Sequence, residues 1–140
     1  MYREACRETG KGEGAVGLIR YVFVASSTKD AIRTAGDSLI QAFDNMYFRW
    51  PPPVVKRPAG QLTIESLAGN RLILGDPRAC IEEISRFQRE SSASHLVCRF
   101  SVPGIPRELC LRSLDLFTRE VMPAIRRISL HQKMTHYLLA

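Results

Sequence analysis

Residues Asn70–Ile125 read NRLILGDPRACIEEISRFQRESSASHLVCRFSVPGIPRELCLRSLDLFTREVMPAI. A short apolar run from Arg71 to Leu74 ends at Gly75-Asp76-Pro77, and a helical pattern begins. A second apolar run, His95 to Ser101, ends at Pro103-Gly104-Ile105-Pro106, and another helical pattern begins. Strand, loop, helix, strand, loop, helix is the order of βα units around a parallel sheet. Sheets of that kind carry their chemistry in the loops at the strand C-termini, so the loops to inspect are Gly75–Pro77 and Ser101–Pro106.

The same pattern extends toward the N-terminus. Val16 to Ala25 (VGLIRYVFVA) is almost continuously apolar and β-branched, as in a strand covered on both faces. Arg20 is its only charge and needs a partner or a wet cavity. Ser26-Ser27-Thr28 offers hydroxyls for a helix N-cap. Ile32, Leu39, Phe43 and Met46 then recur on one helical face until Pro51-Pro52-Pro53 forbids continuation. The βα unit thus occurs three times: Val16–Tyr47, Arg71–Glu90 and His95–Arg126. In the second unit Asp76 caps the helix, Pro77 fits its first turn, and Ile81, Ile84 and Phe87 form the buried stripe. In the third, Pro106 opens the helix, Leu114, Phe117, Val121 and Ile125 line its inner face, and Pro123 kinks or ends it. Tyr2 to Thr9 reads as a helix end stopped by Gly10. Pro51 to Leu67 holds four of the eight prolines, shows weak periodicity, and reads as a surface excursion.

At 140 residues the chain is one domain or part of one. No segment approaches the roughly 18 uncharged apolar residues of a membrane span. No charged-then-apolar leader opens the chain, so a cytoplasmic location is the expectation. Cys6, Cys80, Cys98 and Cys110 form neither a CxxC pair nor zinc spacing, and the last three fall in apolar patterns as buried thiols. The net charge of +6 comes from 16 arginines and 4 lysines, mostly interleaved with acids. After Glu120 no acid appears, which makes 128–140 a basic tail. No aromatic-interleaved RNA motif or DNA-reading helix is present, so neither nucleic acid nor membrane is expected as a partner. No Ser-His-Asp order, metal cluster or glycine-rich dinucleotide loop can be defended, and no catalytic residue is assigned. His95 sits at the end of its strand away from the catalytic face; His131 and His136 lie in the tail.

Three stretches together resemble the C-terminal part of the luciferase-like flavin-dependent monooxygenases, the bacterial luciferase superfamily. They are Leu18-Ile19-Arg20-Tyr21-Val22-Phe23-Val24-Ala25, Asn70-Arg71 through Gly75-Asp76-Pro77, and His95-Leu96-Val97-Cys98-Arg99-Phe100 with Pro103-Gly104. The last helix, Leu111-Arg112-Ser113-Leu114-Asp115-Leu116-Phe117 to Val121-Met122-Pro123-Ala124, completes the likeness, which runs from about Arg3 to Arg127. The resemblance implies a TIM-type (β/α) barrel of which residues 1–127 supply the C-terminal segment: three parallel strands with flanking helices. It implies reduced FMN, or a deazaflavin coenzyme in some branches, with a small-molecule substrate. Arg107 stands where the family commonly has a histidine, and 128–140 is unlike the usual ending.

Within that frame Arg20 and Arg99, charges inside apolar strands, are candidates to hold an anionic flavin or substrate group. Either could instead pair with a structural carboxylate. Tyr21 alternates with Arg20 and cannot face the same side, so it is expected to pack on a helix. Pro103 and Gly104 are candidates for a pocket wall. Asp76 puts negative charge where a helix N-terminus would bind phosphate, which favours capping there. The chain alone is expected to be catalytically incomplete and not to retain flavin, needing a missing N-terminal half or self-association to cover its sheet edges. The alternative is a non-enzymatic barrel fragment serving assembly or dimerisation.

Overall fold

In the computed structural model, residues 2–12, 15–48, 60–91, 93 and 95–127 are described. The elements run α1 (Tyr2–Glu8), β1 (Gly17–Val24), α2 (Thr28–Phe43), α3 (Ile64–Arg71), β2 (Leu72–Gly75), α4 (Pro77–Ser91), β3 (His95–Arg99) and α5 (Arg107–Leu116). The class is α/β: three parallel strands in one sheet, flanked by helices. Three parallel strands with flanking helices are what the sequence pointed to.

The strand order is β2-β1-β3, so β1 is central and the strands do not follow chain order. The first crossover moves from β1 to β2, and the second returns past β1 to β3. Crossovers of one hand that reverse direction fall on opposite faces of a sheet. The packing agrees. Tyr21 and Phe23 join Ala31, Ala35, Leu39 and Phe43 of α2 in one core, while Val22, Val24 and Ile73 join Cys80, Ile84 and Phe87 of α4 in the other.

The pairing is also staggered. Tyr21–Val24 pair with Leu72–Gly75, whereas Gly17–Tyr21 pair with His95–Arg99. Only Tyr21 has a strand on both sides. The C-terminal half of β1 is buried on both faces, as its unbroken apolar run requires. Its N-terminal half is covered on one face only: Leu18 and Arg20 are half-buried, and Ile19 is 61% exposed. Beyond Arg99, β1 has lost its β3 neighbour, yet the Val24 amide must still be satisfied. The Ser113 hydroxyl of α5 accepts it at 2.8 Å, and Ser113 is 1% exposed.

The helix starts follow their caps. Ser27 Oγ accepts from the Asp30 amide at 3.1 Å, and the Ser26 and Ser27 hydroxyls donate to the Asp30 carboxylate. Asp76 Oδ1 accepts from the Ala79 amide at 2.9 Å, while Thr28 Oγ1 donates to Asp76 Oδ2 at 3.0 Å, tying the starts of α2 and α4 together. The Ala79 amide, then the Thr28 hydroxyl, hold the Asp76 carboxyl below its ordinary value. A Cβ on Gly75 would lie 2.9 Å from Ala79 Cβ and 3.0 Å from Thr28 Oγ1, so glycine lets this junction close.

Several expectations need correction. Ile32 is exposed, and the inner face of α2 is instead Ala31, Ala35, Leu39, Ala42 and Phe43, since small alanines let the helix approach the sheet. Leu114 is exposed and Ser113 takes the inward place, because an acceptor is needed there. Ile64–Arg71 is a helix started by a reciprocal Thr63–Ser66 capping box; it begins inside the stretch read as irregular and takes in Arg71, so the strand starts at Leu72, and 49–59 lie outside the described residues. Pro123 does not end the last helix, which continues through 122–127. A π-helical turn at Phe117–Val121 precedes it, a local adjustment of the kind that accommodates the missing proline donor.

Replacing Ser113 by Ala strands the Val24 amide in the interior. The expected loss is about 1–3 kcal/mol, measured by urea unfolding with an unchanged m-value. A second expectation concerns pH. A carboxylate whose folded pKa is depressed stabilises above its unfolded pKa, and that contribution is lost as pH falls through the folded value. Asp76→Asn keeps a capping side chain but does not titrate. Its stability is expected to change less than the parent's between about pH 5 and pH 2; identical acid-side profiles would refute the assignment.

Candidate functional site

After Arg99 the chain leaves the sheet and crosses the end of β3. Val102 and Ile105 bury their side chains in the α2-side core, and the Ile105 amide donates to the Val102 carbonyl at 3.2 Å to close the turn. Gly104 sits at φ 91°, and a Cβ there would come within 3.0 Å of Ser38 Oγ. A glycine is thus what allows the Pro103–Gly104 turn to lie on α2. Between this turn and the C-terminal part of α2 is an open groove of about 420 Å³, lined by Gln41, Ala42, Asn45, Met46, Pro103 and Gly104.

Arg99 reaches the same region. It is opposite Tyr21 in the β1–β3 register, so both project from the α2 face. Its guanidinium carbon lies 5.0 Å from the centre of the Tyr21 ring. Its Nη1 donates to Tyr21 Oη at 3.1 Å and to Met46 Sδ at 3.6 Å. Tyr21 is fixed from behind by an edge-on contact with Phe43, centroids 5.5 Å apart, as expected of a tyrosine packed on a helix. Met46 therefore joins two features: it receives Arg99 and lines the groove.

Arg20 is elsewhere. Its register partner is Cys98, and it projects from the opposite face, where its guanidinium lies 4.6 Å from the Phe87 ring centre on α4. Arg20 Nη1 donates to the Ile19 carbonyl at 2.8 Å. The structure thus brings Arg99, Pro103 and Gly104 to one side of the sheet and puts Arg20 on the other. The two arginines cannot hold one anion between them. Tyr21, Gln41, Asn45 and Met46 were not read as site residues from the sequence. Met46 showed there only as apolar periodicity, Gln41 and Asn45 carried no signal, and the pairing of Tyr21 with Arg99 is invisible before β1 and β3 are aligned.

The strand ends at β1 and β2 offer two helix N-termini, the usual seats for phosphate. Each already holds a carboxylate, Asp30 on α2 and Asp76 on α4, and both carboxyls lie below their ordinary values through local hydrogen bonds. An incoming anion would meet like charge there.

Burial pushes the Cys80 thiol up to about 12, helped by Asp76 and Glu83, and burial also raises Cys98. Neither is a nucleophile at neutral pH. His95 begins β3, its amide donating to the Val16 carbonyl, at the strand end remote from the loop. His131 and His136 lie outside the described residues. Among the described residues no group of three His, Cys, Asp or Glu could hold a metal ion. No helix among them is long and apolar enough to cross a membrane.

No family model matches the chain, and no curated protein matches it. Among solved structures it is similar to a Type II Baeyer-Villiger monooxygenase, the oxygenating constituent of 3,6-diketocamphane monooxygenase from the CAM plasmid of Pseudomonas putida, in complex with FMN. The TM-score is 0.63 at 20% sequence identity, over 89% of this chain and 38% of that one. The likeness is one of fold, and the chain spans less than two fifths of the length of that neighbour.

Proposed function

We propose that this chain is the C-terminal part of a flavin-dependent oxidoreductase of monooxygenase type, with Arg99 and the Pro103–Gly104 turn on the wall of its pocket. The observation that carries the reading is the similarity of 89% of the chain to part of a monooxygenase constituent solved with FMN. The loop after β3 supports it, because βα loops at strand C-termini are where such folds place their pockets. FMN is the flavin the neighbour favours; a deazaflavin coenzyme is the alternative.

The described residues fit this cofactor only in part. Arg99, Met46 and Pro103 offer a wall against which a ring could lie. At the helix N-termini after β1 and β2 a phosphate group finds no cradle, since Asp30 and Asp76 occupy them. Arg20, on the far face, takes no part in this pocket. No reaction step is therefore assigned to this chain alone. We read it as catalytically incomplete, with further barrel strands supplied by a longer polypeptide or by a second copy.

A second reading is a barrel fragment that serves assembly without catalysis. The incompletely covered sheet favours it: Ile19 and Val97 are 61% and 53% exposed, side by side on the α2 face.

Flavin titration of the purified chain, with its mass measured in solution, tests both. The expected result is no stoichiometric flavin retained by a monomer, and recovery of flavin binding when the earlier barrel strands are co-expressed. Tight one-to-one flavin binding by the monomer would remove the incompleteness. A stable dimer that binds no flavin even with those strands present would favour the assembly reading.

A further inference from the structure

We infer that the α2 face of β1 and β3 holds a binding site for an apolar organic carboxylate, with Arg99 as its anion anchor. The inference shares the choice of face with the pocket proposed above but depends on no flavin.

The first observation is the state of Arg99. Its partners among the described residues are neutral: a tyrosine ring and hydroxyl, and a thioether sulfur. The two hydrogen bonds both leave from Nη1, and the Nε–Nη2 edge makes none among the described residues. That edge carries two parallel N–H groups, the fork that a carboxylate accepts bidentately. The guanidinium is already held over Tyr21, so less side-chain freedom is lost when an anion arrives.

The second observation is what surrounds it. One step down each strand on the same face, Ile19 and Val97 are register partners and both are exposed. At about 3.3 Å of rise per residue they lie roughly 6.6 Å from the Tyr21–Arg99 pair. An apolar body laid on Ile19 and Val97 would reach Arg99 with its charged end. On the other side Met46 also lines the groove, together with Ala42 and the amide side chains Asn45 and Gln41.

These features choose among ligands. A phosphate dianion is usually met by several cations or a row of backbone N–H groups, and here one guanidinium stands beside an apolar pair. A symmetric contact with a second copy centred on this face would bring two Arg99 side chains together with no acid among their partners, which costs electrostatic energy. A monoanion on an apolar body satisfies both halves of the surface.

The test uses the full chain and octanoate, without flavin. Saturable one-to-one binding is expected by calorimetry, with NMR shifts at Tyr21, Met46 and Val97. Octanol, the same body without the charge, is expected to bind at least tenfold more weakly. Arg99→Gln should weaken octanoate at least tenfold with an unchanged circular dichroism spectrum. Val97→Glu, at an exposed position that tolerates a polar side chain, should weaken it too and covers the case in which Arg99→Gln fails to fold. The inference is overturned by equal affinity for octanoate and octanol, by no saturable octanoate binding, or by binding that neither variant alters. It is also overturned if inorganic phosphate or FMN, but not octanoate, binds in an Arg99-dependent way. Because no flavin is present, loss of the flavin reading leaves this result untouched.

Discussion

The Val24 amide is the constraint around which this fold is arranged. β1 is the central strand, but β3 accompanies it only as far as Tyr21. Past that point a backbone donor faces an edge with no strand beside it, inside the protein, where an unpaired group costs as much as a lost hydrogen bond. Ser113 supplies the acceptor from the middle of α5. To bring it there, α5 must cross the sheet edge: Leu109 and Cys110 in its first turns pack with the α2-side core, and Leu116, Phe117 and Val121 pack with the α4-side core. The loop from Phe100 to Pro106 is then committed to the α2 face, with Val102 and Ile105 as its anchors and Gly104 against Ser38. The groove beside Pro103 is a consequence of that route.

The charged side chains contribute differently. The Arg33–Asp30, Arg78–Glu82 and Arg119–Asp115 pairs are one helical turn apart and solvent-exposed, a class worth a few tenths of a kcal/mol each. Arg86 is the exception in reach. It bonds Glu83 and Glu90 along α4, its guanidinium lies on Phe87, and it also donates to the Gly69 carbonyl of α3. α3 has little amphipathic pattern of its own, so a polar tie across to α4 and a capping box at Thr63 help define where it lies. Stability rests on the two apolar layers, at about 1.5–3 kcal/mol for each large side chain fully buried.

What could be read from the sequence was what local periodicity and capping chemistry encode. The strands, the Asp76 cap and the burial of Cys80 follow from patterns within one element, and the parallel direction from the alternation of strands and helices. Non-local arrangement was not legible. The strand order β2-β1-β3 depends on which side of β1 each short strand docks, and neither LILG nor HLVCR carries that information. Nothing in the sequence marks Ser113 for burial, because its partner is an amide 89 residues away. Ile64–Arg71 was missed because its signal is a cap and not a stripe. Of the candidate site, Arg99 was found as a charge inside an apolar run, Pro103 and Gly104 by position after it, and Met46, which lies beside them, was assigned only to packing.

Parity decides how the two strand arginines differ. Arg20 and Arg99 were equivalent by the criterion of a charge in an apolar run. Register separates them: Arg20 pairs with Cys98 and Arg99 with Tyr21, so they occupy opposite faces. On Arg20's face α4 is already in place, and an aromatic ring receives the guanidinium at 4.6 Å. On Arg99's face the helices cover the C-terminal half of the sheet and stop, leaving the cation with a ring behind it and exposed apolar neighbours beside it. A half-buried guanidinium meets an aromatic ring inside the fold, while an exposed one is held over a ring with no hydrogen bond from its Nε–Nη2 edge among the described residues. The same residue type, one position apart in register, is thus given two different surroundings by where α2 ends.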